Sequence, residues 1–500
     1  MNTAYENLEA RFRRIGLLGD AGAMLHWDAA TTMPAGGAGA RAEQLAELQV
    51  AAHELLVAPE TADALDAADE PEEAWRRANL REMRRRHRMA AALPADLVAA
   101  ASKAESACEM AWRDARAADD FAGLQPSLQQ VLDLARERAT ALGEALDLAP
   151  YDALLERFEG GLRDAAIAPL FDRLAAELPP LIERIRAIQP PLPGDRPPGG
   201  PFATAAQRAL AERVMAALGF DFERGLLGVS HHPFTGGVPD DVRITTRFNE
   251  QDHLESLMAA VHETGHALYQ AHLPRDWRWQ PVGDSMGMAV HESQSLIVEM
   301  QAARSGPCLA WLAAAAGETL GLSGADAAPD LFARFVRHVR PGLIRVDADE
   351  VTYPLHIVLR WRLERALLSG DLPLGDLPGA FNDGMQDLLG IHPDSDRDGC
   401  LQDIHWPSGG FGYFPTYTLG AIAAAQLFEQ ACRDEPALPD CFAEGRFAPL
   451  TGWLRRHVHA KGRLHPTADD LLIEVTGRGF DVETFLAHLR RRYLEADRPE

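Results

Sequence analysis

Cysteine is scarce and scattered in this chain. Its five copies, Cys108, Cys308, Cys400, Cys432 and Cys441, are odd in number and form no Cys-x-x-Cys pair. That argues against a disulfide framework and a thiolate metal site, and points to a reducing, cytoplasmic address. No uninterrupted run of about 18 apolar residues occurs, so no membrane span is expected. The N-terminus, MNTAYENLEARFRRIGLL, is charged and lacks a continuous apolar core, so it does not read as a signal peptide. Positive charge is in deficit. Lysine and arginine total 49 against 74 acids, for a net charge of −25. No basic stripe stands out, and this balance disfavours a nucleic-acid partner. It suits a soluble enzyme that does not self-associate unspecifically. There is no fixed-period repeat.

What the chain does have is helix-forming residues in helical order. Hydrophobic residues make up 47%, ample for a core. Segments such as ARAEQLAELQVAAHELLVA and LQQVLDLARERATALGEAL place apolar residues on one helical face. The clearest break is QPPLPGDRPPGGP, too rich in proline and glycine for helix or central strand. It reads as a long surface loop rather than a domain linker, because motifs on both sides point to one site. The expected organisation is a single catalytic unit over 1–500, with a helical lobe over about 1–190, the loop at 189–201 and a second lobe over about 202–500. The one β region is FERGLLGVSHHPFTGGVPDDVRITTRF. The predicted class is mainly α with a small antiparallel sheet, whose edge could pair with an extended peptide.

The most specific signal is His262-Glu263-Thr264-Gly265-His266, in the helical stretch DHLESLMAAVHETGHALYQAHL. Histidines four apart share one face of a helix, about one turn from each other. Both imidazoles can therefore reach one zinc ion, and Glu263 is placed to act as a base toward activated water. With 18 histidines in the chain, the match alone is only suggestive. Context strengthens it. Asn249 and Asp252 offer helix-start signals and Pro274 follows the expected end. Downstream, DSMGMAVHESQSLIVEMQAARS reads as a second helix, with Glu292 lying 26 positions after His266. An antiparallel return would bring Glu292 beside the histidines as third ligand. Glu299, on the same face, would support the ligands from behind. The plainer reading of Glu292 is a solvated helix carboxylate, which its apolar flanks Val290, Leu296 and Ile297 oppose.

Other clusters are less specific. Asp241, Arg243 and Thr245 alternate on one face of a strand, or simply form a solvated edge. Arg345 offers a planar fork suited to a carboxylate, or a helix-start salt bridge with Asp347 or Asp349. His405, Tyr413 and Tyr417 could donate hydrogen bonds to a developing oxyanion, although isolated His or Tyr is commonly structural. Gly409, Gly410 and Gly412 nearby suggest a mobile active-site loop. Of the pair His231 and His232, at most one faces a site on a strand. His272, His291 and His356 read as structural or surface histidines.

Taken together the motifs resemble the carboxypeptidase Taq family of zinc metallocarboxypeptidases. The resemblance rests on His232-Pro233-Phe234, Asp241 to Thr245, His262 to His266, His291-Glu292-Ser293-Gln294, Ile344 to Asp349, and Gly399 to Trp406, in family order. LHWDAATTMPAGGAGARAEQLAEL and YDALLERFEGGL extend it into the N-terminal half. Phe381, where Trp is expected, and the FEGG turn depart from the pattern without touching a proposed ligand. The resemblance implies a saddle-shaped helical subunit with a deep groove, often homodimeric, that removes single residues from peptide C-termini with broad specificity. It implies one zinc per subunit, with cobalt as a substitute, on His262, His266 and Glu292, and Glu263 as base. Tyr413, Tyr417 or His405 would stabilise the oxyanion. Arg345, or else Arg243, would clamp the terminal carboxylate, with His232 also toward substrate. Two alternatives remain at this level: a related zinc oligopeptidase or dipeptidyl carboxypeptidase, and an inactive helical peptide-binding protein.

Overall fold

The HETGH stretch folds as the helix His253–Ala271 in a computed structural model that describes residues 3–230 and 232–495. Asp252 caps its start, the side chain accepting from Leu254 N at 2.9 Å. Leu257, Ala260, Val261, Ala267 and Leu268 form its buried face, as the spacing requires. Helices dominate the rest of the described chain. The principal core is continuous. It runs from Ala104 through Phe171 and Val261 to Leu489, so both sides of the proline-rich stretch contribute to it. That stretch holds neither helix nor strand. It is pinned, with Gln189 exchanging hydrogen bonds with Val339 at 2.8 and 3.1 Å.

The sheet is mixed rather than antiparallel. Its strands are β1 (Gly225–Val229), β2 (Thr235–Val238) and β3 (Asp241–Thr246), in the order β1-β3-β2. β2 pairs antiparallel with β3, but β1 pairs parallel with it. The physical reason is that both flanks of the connection bond to the end of β3, Ser230 N donating to Thr246 O and Phe234 N to Thr245 Oγ1. β2 then serves as the return leg on the far side. β3 is consequently the central strand, so Asp241, Arg243 and Thr245 do not lie on an edge. His231 lies outside the described residues.

The helix that carries Glu292 spans Met288–Leu296 and continues as a π-helical stretch, Ile297–Ala303, which holds Glu299. Its start is capped from the N-terminal half. Glu159, 2% exposed, accepts from Ala289 N at 2.7 Å, and Phe158 O accepts from Met288 N at 2.9 Å. The FEGG turn is thus a remote helix cap, filling donors the helix cannot satisfy itself. The segment expected to be mobile is instead tied down on several sides. Glu364 accepts from Trp406 Nε1, Gly412 N and Tyr151 OH at 3.0–3.1 Å. Trp112 Nε1 donates to Leu401 O at 2.8 Å. Gly412 has φ +88 and faces Leu154 so closely that a Cβ would sit 3.0 Å from its carbonyl carbon. Only glycine fits both conditions.

Candidate metal centre and active site

The helix of His262 and His266 and the helix of Glu292 cross at Gly265. A Cβ there would lie 2.3 Å from Gln294 O and 2.6 Å from Ser295 Cα. Absence of a side chain lets the backbones meet, and this brings Glu292 opposite the histidines. One ligand atom each from His262, His266 and Glu292 lies within 4.8 Å of the others. Glu292 Oε2 is 3.5 Å from His266 Nε2. Behind Glu292 the helix Pro415–Asp434 comes equally close, since a Cβ on Gly420 would be 2.7 Å from Glu292 Cβ.

Each histidine is held by its rear nitrogen. His262 Nδ1 is 3.1 Å from Glu299 Oε2, and Glu299 Oε1 accepts from Arg304 Nη2 at 2.6 Å. His266 Nδ1 is 2.7 Å from His291 Nδ1. Such contacts orient a ring and leave Nε2 to face forward. Burial pushes His266 down to about 4, so its ring is neutral and offers a lone pair. Burial opposes charge on His262 too, but Glu299, Glu292 and Glu263 raise it to about 9. The cluster therefore favours one positive charge at this point, and a proton on His262 and a bound cation are alternatives. Glu292 is 6% exposed, and burial raises its pKa. Its closest ionic partner is His266 rather than a lysine or arginine. Two imidazoles and a buried carboxylate fit a divalent ion such as zinc.

Glu263 lies buried beside the cluster, its Oε2 accepting from Thr235 Oγ1 at 2.7 Å. The first residue of β2 thus fixes this carboxylate, which ties the sheet to the helix. His405 Nε2 is 3.0 Å from Tyr417 OH, and the Tyr413 and Tyr417 rings meet edge-on at 5.2 Å. Burial pushes Tyr417 up to about 12 and raises Tyr413 as well, so both phenols keep their protons as donors. Burial pulls His405 down to about 3, leaving it neutral.

Arg345 joins this group. Its Cζ lies 4.9 Å from the Tyr417 ring centroid. Its salt-bridge partner is neither Asp347 nor Asp349. Nε and Nη2 donate to Asp403 Oδ1 at 2.9 and 2.7 Å, and Arg360 Nε holds Oδ2 at 2.6 Å. Asp403 is driven far below the carboxylate range; burial opposes this, and the two guanidinium groups outweigh it. Arg243 is occupied elsewhere. It makes a bidentate pair with Asp241 at 2.9 and 2.6 Å and lies over the Trp27 ring at 4.7 Å. His232 sits on the exposed turn before β2, its carbonyl accepting from Ser230 Oγ.

The structure brings His262, His266, Glu292 and Glu299 together. Sequence reasoning leaves His291 as a structural or surface histidine without placing it, as the structure does, 2.7 Å from His266 Nδ1. It also misses Thr235, Glu159 and Glu364. Nothing local marks these, because their partners are remote in sequence.

The carboxypeptidase Taq (M32) metallopeptidase profile matches residues 7–493. A thermostable carboxypeptidase 1 of Thermus thermophilus is 38% identical, with 98% of each chain covered. One from Pyrococcus furiosus is 35% identical over 99% of each. Among solved structures, metallocarboxypeptidase 1 of Trypanosoma cruzi superposes with a TM-score of 0.95 at 35% identity, covering 99% of this chain and 100% of the other.

Proposed function

This chain belongs to the carboxypeptidase Taq (M32) metallopeptidase family, and from that premise we propose that it is a zinc-dependent carboxypeptidase releasing single residues from peptide C-termini with broad specificity. The observation that carries the reading is the convergence of His262, His266 and Glu292 within 4.8 Å, with Glu263 buried alongside. In this reading the three residues hold one zinc per subunit, with cobalt as a substitute. When bound, the ion supplies Lewis acidity toward water and the scissile carbonyl. Glu263, oriented by Thr235, takes the water proton at Oε1 or Oε2 and passes it to the leaving amine. Tyr413 and Tyr417 keep their phenolic protons and donate to the developing oxyanion, with His405 fixing Tyr417. Arg345 recognises the terminal carboxylate. Asp403 fixes its fork through one edge, and its remaining amino group is the one available to substrate. Arg243, occupied by Asp241 and Trp27, is the second choice. His232, on the exposed turn, would contact substrate further out.

The reading extends to a homodimer, checked by light scattering against the 54.6 kDa chain. It also includes a cytoplasmic setting, supported by five scattered cysteines with no Cys-x-x-Cys pair. No helix among the described residues is long and apolar enough to cross a membrane.

The decisive assay is time-resolved mass spectrometry of one peptide as free acid and as C-terminal amide. Stepwise loss of single residues from the free acid is expected, with the amide suppressed by tens to thousands of fold, since a buried charged partner lost is worth roughly 2–5 kcal/mol. Equal cleavage of both, or internal fragments first, replaces this reading with the oligopeptidase alternative. Chelator-insensitive silence on all peptides would favour a binding protein.

A further inference from the structure

Helix Ala74–Ala91 contains the run RRANLREMRRRHR, with Glu82 as its sole acid. This run is a local basic stripe, contrary to the reading from a net charge of −25, which averages over the whole chain. Five of its arginines and Arg163 line an open cavity of about 590 Å³, together with Glu70, Glu156, Leu146 and Leu148. None of these residues belongs to the metal cluster or its supports.

All six guanidinium groups are anchored on main-chain carbonyls. Arg77 donates to Glu72 O at 2.9 Å, Arg81 to Arg463 O at 2.7 Å and Arg84 to Ala68 O at 3.2 Å. Arg85 donates to Glu156 O at 3.2 Å, Arg88 to Ala145 O at 3.1 Å and Arg163 to Leu162 O at 2.6 Å. A carbonyl fixes a guanidinium without neutralising it. Carboxylates do neutralise, but the wall has only Glu156, shared by Arg85 and Arg163, and Glu70 on Arg84. Behind the wall, buried Glu82 is shared among Arg81, Arg85 and Arg463. Positive charge is therefore in local surplus, on side chains whose ordering cost is already met by the fold.

We propose that this cavity binds a compact polyphosphate anion, either free or carried on a nucleoside. Several rigid forks around one space exceed what a single carboxylate can pair with, and planar guanidinium matches phosphate oxygens in pairs. The volume lies in the range of small-molecule sites. Leu146 and Leu148 offer an apolar ledge for a base. The acidic remainder of the surface is screened beyond about 8 Å at physiological salt.

The test is calorimetric titration of inorganic triphosphate, a nucleoside triphosphate and the bare nucleoside into the zinc-loaded protein, at low and physiological salt. Saturable binding of triphosphate is expected, weaker at the higher salt. Arg84→Gln with Arg88→Gln should weaken it about tenfold or more, and the paired lysine substitutions should recover part of the loss. Arg88→Gln alone, on the exposed end of the row, should give a smaller loss without risk to folding. Peptide hydrolysis should be unchanged in all of them. Tighter binding of the nucleoside form would place a base on the leucine ledge; equal affinity would assign recognition to the phosphates alone. Absence of saturable triphosphate binding at low salt overturns the proposal. So does binding that the double substitution leaves intact, since the anion would then be on the metal.

Discussion

Glu263 and Glu292 are both buried carboxylates within reach of the same histidines, yet their surroundings separate their roles. Glu292 meets His266, whereas Glu263 is oriented by the Thr235 hydroxyl. Glu263→Gln should therefore retain zinc while kcat falls by about 10²–10⁴. A variant keeping a third of the parental kcat would show another base. Arg345→Ala should narrow the gap between free-acid and amidated peptides, and Arg345→Lys should restore only part of it. The same pair run on Arg243→Ala should leave the gap unchanged. Glu364 gives a pH prediction. Burial raises its pKa to about 7, so the folded state holds a proton that the unfolded chain releases from about 4.5 upward. Its contribution is fully present at low pH and is lost as pH rises toward 7. Each pH unit across that interval weakens the fold by about 1.4 kcal/mol, so the cost approaches about 3 kcal/mol. The stability advantage of the parent over Glu364→Gln should accordingly shrink between pH 5 and pH 8 in thermal melts. An advantage that grows over that interval contradicts the burial argument.

The elements that hold these residues were legible to different degrees. The helix His253–Ala271 announces itself by its apolar spacing and by Asp252, because both signals are local. The strand region is also local, but its pairing is not. Parallel alignment of β1 with β3 depends on where the link over 230–234 goes, and periodicity carries no such information. The cap on helix Met288–Leu296 comes from Glu159, 130 residues earlier in the chain. Gly265 in the HETGH motif is the crossing point of the two helices, a close approach that helical periodicity does not reveal. Gly265→Ala should push the two helices apart. A loss of about 1–3 kcal/mol in stability is expected from overpacking. Zinc affinity should fall as well, although no ligand is changed. Unaltered zinc affinity in this variant would mean that the crossing does not set the ligand geometry.

At the scale of the molecule, the continuous core explains why motifs from Tyr151 to Trp406 serve one site. Trp112 reaches Leu401, Tyr151 reaches Glu364, and Arg81 reaches Arg463, so residues before the proline-rich stretch brace those after it. Helical class follows from composition and periodicity, and the shared face of His262 and His266 from their spacing. The arginine-lined cavity does not, because charge totals average over surfaces that face in different directions. The central claim is that three side chains hold the catalytic zinc and a fourth moves the proton. It is tested most directly by measuring zinc content and kcat together in the parent, Glu292→Ala and Glu263→Gln. The account predicts one zinc per chain with full activity in the parent, zinc without activity in Glu263→Gln, and neither in a folded Glu292→Ala. Full zinc occupancy with a normal rate in Glu292→Ala would contradict it.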